Sequence, residues 1–204
     1  MTIAIGPTTN PEKLPVEERV RLVIESEGLL IDLLAHTECQ PNLVLECLRY
    51  LTHLPPGLYV RGALLLTGCE ALLEIPQDLR VENTLDLTNC YALRRLPEGL
   101  HIKNGDLTLH NCISLKRLPQ MYVSDLVVAP GCTALTELSR GIVVGSLDLS
   151  CCTALEALPP DLVVKNMLDL RGCTSLRLVP DSIKARIVVL PKHLDKLKSR
   201  YAAQ

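Results

Sequence analysis

The chain has 204 residues, 48% of them hydrophobic, yet it contains no Phe, no Trp and only five Tyr. Its apolar mass is Leu, Val, Ile and Ala, which suits identical stacked layers better than an irregular core filled by aromatics. A net charge of −2 gives no global field to draw nucleic acid or a membrane surface, and no apolar run reaches the roughly 18 residues of a spanning helix.

Residues 1–13, MTIAIGPTTNPEK, read as a flexible polar N-terminus, without the basic and long apolar regions of a Sec signal peptide. Residues 14–50 are expected to form a helical N-terminal cap. In LPVEERVRLVIESEGLLIDLLAH (14–36), Val16, Val20, Val23, Ile24, Leu30, Ile31 and Leu34 fall at roughly helical spacing, with Gly28 as a bend. After Pro41, NLVLECLRY (42–50) reads as a second short helix. Such a hairpin would cover the open end of a stacked array. Residues 1–50 carry eight acids against four bases, and residues 191–204 four bases against one acid, as expected of two solvated caps.

Between the caps, residues 51–190 repeat. Cys69, Cys90, Cys112, Cys132, Cys152 and Cys173 are separated by 21, 22, 20, 20 and 21 residues. Each is followed by Leu, then an aliphatic residue, then proline at Pro76, Pro97, Pro119, Pro159 and Pro180, with Ser139 breaking the series. The unit is LxxLPxxLxVxxxLxLxxCxx, with one-residue slips placed before LxL. A period in the twenties marks a leucine-rich repeat solenoid of about six to seven coils. The fold class expected is an α/β repeat solenoid. Its short LxL strands pair in parallel along a concave side with both leucines inward. The LP segment, where proline gives up a donor, returns along a convex side in extended or 3₁₀ form. Residues 191–204 are the C-terminal cap.

Nine cysteines, an odd number without a CxxC pair, fit reduced thiols in a reducing compartment and argue against a metal site. The six periodic ones are expected to point inward as a structural ladder, each thiol donating to a carbonyl of the adjacent coil. Cys151, next to Cys152, must face the other way and is a candidate exposed thiol. No cofactor is implied. A hydrolase or transferase using Cys151, His110 and Asp148 is disfavoured, because these groups lie two coils apart, roughly 10 Å, beyond hydrogen-bond reach.

Outward positions of the concave strands are the candidate binding residues: Asp86, Thr88, Asp106, Thr108, His110, Val128, Asp148, Ser150, Asp169 and Arg171. They form a Ser/Thr row with acids, interrupted by an apolar spot at Leu126, Val128 and Pro130. The pattern fits a shallow groove for a basic peptide or loop; a solvated sheet face is the plainer alternative. Arg94-Arg95 and Lys116-Arg117 form a second candidate, for an anionic partner, against the simpler reading of a charged edge.

These motifs, LxxLPxxLxVxxxLxLxxC with a 20–22 residue period, resemble the LPX-type leucine-rich repeat proteins of bacteria, similar to type III secretion effectors of the YopM and IpaH kinds. The resemblance spans about residues 14–195. Two departures stand out: Cys replaces the usual Asn at the ladder position, and the chain ends 14 residues after its last coil, where IpaH-like proteins carry a ubiquitin-ligase domain. What the resemblance implies is a non-catalytic protein-binding module in the bacterial cytoplasm or secreted into a host cell. Its alternative is a substrate-recognition unit or truncated relative of such a ligase.

Overall fold

The computed structural model describes residues 42–197. Eight short parallel strands build the main sheet, stacked in the order β1 (Leu43–Val44), β3 (Leu64–Leu65), β5 (Leu85–Asp86), β7 (Leu107–Thr108), β9 (Met121–Val128), β11 (Val143–Asp148), β13 (Met167–Asp169) and β14 (Ile187–Val189). The cause is the LxL alternation. Leu64 and Leu66, Leu85 and Leu87, and Leu107 and Leu109 turn inward and are fully buried, while the residue between them faces out. A strand of two or three residues has too few hydrogen bonds to persist alone, so each coil is held by its neighbours above and below. Leu64 pairs with Leu43 and Leu85, and Leu147 with Val127 and Leu168. The result is a parallel β-solenoid.

The return path also pairs, more than the sequence suggests. On a second side, the LxV segments form β2 (Tyr59–Val60), β4 (Arg80–Val81), β6 (Leu100–Ile102) and β12 (Val163–Val164), joined by the first halves of β9 and β11. On a third, β8 (Arg117–Leu118) pairs with β10 (Glu137–Leu138). Ser139 accounts for that pair. Where other coils have proline, the Ser139 N–H donates to the Leu118 carbonyl at 2.8 Å, a bond proline cannot make. Of the two forms expected there, extended or 3₁₀, these return segments take the extended one.

Further expectations need correction. Asn42–Tyr50 is not a helix: β1 pairs with β3, and Leu43 and Leu45 are buried with exposed Val44 between them. LVLECL is an incomplete repeat unit with Leu48 at the cysteine position, and stacking on the next coil overrides its local helical character. Among the described residues the stacked array therefore reaches back to Leu43. The rest of the expected helical cap, residues 14–41, lies outside the described residues, as do residues 1–13 and 198–204. Among the described residues the α/β character fails, for their single helix is a 3₁₀ segment, η1 (Lys192–Leu197). It closes the last coil by packing Leu194 on the core and bringing the His193 ring within 2.7 Å of the Leu176 carbonyl.

The slips also sit partly elsewhere. One extra residue lies between Ile102 and Leu107, before LxL as expected. One residue is missing between Leu118 and Met121, at the proline corner, because Met121 aligns with Leu100. The other missing residue is in β11, where the register shifts between Val144 and Ser146. Gly145 stands at that shift. A Cβ there would lie 2.3 Å from the Asp125 carbonyl oxygen and 2.5 Å from that of Ser124, both backbone atoms that cannot yield cheaply.

Each coil but the last leaves the main sheet through a left-handed residue: Cys47, Gly68, Asn89, Asn111, Gly131, Cys151 and Gly172 all have φ between 59° and 75°. Gly and Asn adopt this conformation readily, whereas for Cys it costs about 1–2 kcal/mol. It folds the chain into a four-residue turn, in which the Cys69 N–H donates to the Leu66 carbonyl and the Cys90 N–H to the Leu87 carbonyl, each at 3.1 Å.

Gly145→Ala is expected to destabilise the protein by more than about 1 kcal/mol, measured by denaturant unfolding. Cys151→Asn, which relieves the left-handed strain, should leave stability equal or higher.

Candidate binding face of the main sheet

Strand register sorts the outward residues into rows that run across the coils. The middle row reads Val44, Leu65, Asp86, Thr108, Val128, Asp148, Asp169 and Val189. Two residues before the middle row lie Thr84, Asp106, Leu126, Ser146 and Met167, and two residues after it lie Thr88, His110, Pro130, Ser150 and Arg171. The sequence-predicted residues therefore do share one face. Val128 sits between Thr108 and Asp148, so the apolar spot interrupts the acids as expected. Asp106 belongs to a different row from Asp86, and the acids do not form one continuous line.

Local bonding reveals a task for each acid that the sequence pattern hid. The Asp86 carboxylate accepts the Thr88 N–H at 2.8 Å, Asp148 accepts the Ser150 N–H at 2.8 Å, and Asp169 accepts the Arg171 N–H at 3.0 Å. These are Asx-type bonds that fix the chain as it leaves the strand. Asp106 accepts the Leu126 N–H from the next coil at 2.9 Å, standing in for a ladder carbonyl beside the coil with the extra residue. Asp169 is 2% exposed, and the Arg171 guanidinium closes over it, Nη2 lying 2.6 Å from Oδ2. The uncompensated charge on this face is thus carried by Asp86, Asp106 and Asp148, none of which has an ion pair among the described residues.

Behind the face runs the cysteine ladder. Cys69, Cys90, Cys112, Cys132, Cys152 and Cys173 are free and buried. Their thiols donate to the carbonyls of Leu45, Leu66, Leu87, Leu109, Ala129 and Leu149 at 3.0–3.3 Å. Each partner is the second inward residue of the previous coil, so a weak donor satisfies a buried carbonyl at every step. Burial pushes the Cys69 thiol up to about 11 and those of Cys90 and Cys173 up to about 12. Hydrogen bonding with Cys132, together with burial, pushes Cys112 and Cys152 up as well. Cys132 is lowered relative to those two, because both would donate to it as a thiolate.

Cys151 is exposed, as expected, and Cys47 occupies the equivalent exposed position. Pro130 lies between His110 and Ser150 in the outer row. His110 is therefore two strand spacings, roughly 10 Å, from the coil that carries Asp148 and Cys151.

The LxV side carries a group that sequence reasoning missed. His101 stacks on Tyr122 with ring centroids 4.8 Å apart, and the Lys165 ammonium lies 5.5 Å from the Tyr122 centroid. Tyr59, Arg80, His101 and Tyr122 recur at 21-residue steps, a signal that was legible once the LxV segment was recognised as a strand. No protein-family model matches the chain, nor does any curated protein or solved structure.

Alkylation of the folded protein should modify Cys47 and Cys151 quickly, while the six ladder thiols react only on unfolding; peptide mass mapping reads the pattern. A thiol raised in the folded state contributes stability below its unfolded value, near 9, and loses it as pH climbs towards the folded value. Denaturant midpoints should therefore fall from pH about 9 to about 12, less steeply in Cys90→Ala/Cys173→Ala.

Proposed function

We propose that the chain is a non-catalytic protein-binding module whose outer main-sheet face holds a basic peptide or loop. The observation that carries this reading is the apolar spot of Leu126, Val128 and Pro130, flanked by the unpaired carboxylates of Asp106 and Asp148 on a face of short side chains. A lysine-bearing segment laid across the strands would set its cations beside these acids and an apolar side chain over Val128. Because bonds from backbone N–H groups already fix the carboxylates, little ordering entropy is lost on the protein side when they engage. The LxxLPxxLxV unit supports assignment to the LPX-type bacterial leucine-rich repeats, and with it a role as an effector acting on host proteins.

The test exploits the dual role of the acids. Asp86→Asn/Asp148→Asn keeps an oxygen for the Thr88 and Ser150 N–H groups while removing both charges. Affinity for a fluorescent lysine-rich peptide, read by anisotropy, is expected to fall about threefold to tenfold with the melting temperature unchanged. Equal affinity in the double variant would refute the acidic-face reading.

A further inference from the structure

The LP side of the solenoid holds a groove of about 930 Å³. It is lined by Arg94, Arg95, Lys116 and Arg117, with Glu98 the single acid. Apolar surface comes from Leu96, Pro119 and Ile113, the last 46% exposed. Two of the four cations are compensated, Arg95 by Glu74 at 3.8 Å and Arg117 by Glu98.

Arg94 and Lys116 are different. They occupy successive positions of one ladder, in which the Arg94 N–H donates to the Leu73 carbonyl and the Thr136 N–H to the Lys116 carbonyl. Neither forms an ion pair among the described residues. Like charges stacked one coil apart, about 4.8 Å, repel each other. A carboxylate placed between them would turn that repulsion into attraction.

We infer that this groove docks an acidic peptide segment, its carboxylates over Arg94 and Lys116 and an apolar side chain against Ile113. Charge complementarity selects the occupant, and the volume is ample for a few residues. A nucleic acid fits less well. No aromatic ring lines the groove, so bases find no stacking platform, and the chain's net charge of −2 opposes a long polyanion. The groove lies on another side of the solenoid from the acid-bearing main sheet, so this inference stands or falls independently of the proposed function.

A fluorescent peptide of repeated Glu-Glu-Leu, titrated at low ionic strength, is the probe. Anisotropy should show saturable binding that weakens about tenfold or more in Arg94→Glu/Lys116→Glu and severalfold in Ile113→Asp. The Asp86→Asn/Asp148→Asn variant should bind the probe as the unaltered protein does. Circular dichroism melting of the charge-reversed variant should match the parent, since both side chains are exposed. No binding by the parent protein would overturn the inference, as would equal binding by the charge-reversed variant. So would tighter binding of a single-stranded oligonucleotide than of the peptide, or sedimentation showing that the groove is occupied by a second copy.

Discussion

A coil of this chain has no inside of its own. Two strand residues, a turn and an extended return cannot enclose their own leucines, so the aliphatic rows reach zero exposure only when the next coil is laid over them in register. Burying a Leu side chain fully is worth roughly 1.5–3 kcal/mol, and each coil contributes several such residues to rows shared with its neighbours. Everything else follows from keeping coils aligned: identical lengths between inward positions, repeated turn geometry, and a core composed of nearly one kind of side chain.

Alignment is maintained at the corners. The left-handed residue before each cysteine turns the chain out of the main sheet, and the cysteine then donates back to the preceding coil. A buried cysteine at this site is a short donor with a small apolar body, matched to a carbonyl of the preceding coil whose second lone pair it can use, as at Leu66 and Leu87, which also accept the turn N–H of their own coil. Where the repeat length departs from 21, the surplus or deficit is absorbed at a corner, and at Gly145 by the absence of a side chain. Fixed edges and adaptable corners let the array tolerate steps of 20 and 22 without losing its inward rows.

The same geometry makes surfaces of contrasting chemistry. The outer main-sheet face carries short polar side chains and unpaired acids around an apolar spot. The LP side carries two unpaired cations over a groove, while the LxV side stacks His101, Tyr122 and Lys165. A net charge close to neutrality conceals this division. In a solenoid, side chains at equivalent positions are forced into rows, so small biases in composition at one phase become a continuous surface property.

Sequence alone determined the solenoid, its inward leucines and the cysteine file, because those depend on spacing, and spacing is written in the chain. It also placed Val128, Asp148 and the other candidate residues on one face, since alternation in a strand fixes which side chains share a side. What it hid was a set of particular contacts made between neighbouring coils. The helix expected over Asn42–Tyr50 became a strand because Leu64 and Leu65 offered it a partner. The acids proved to be bonded to backbone N–H groups, and the aromatic stack came from residues 21 positions apart. Only stacking decides which residues meet, since the free energy of each contact belongs to a pair of coils and neither coil carries it alone.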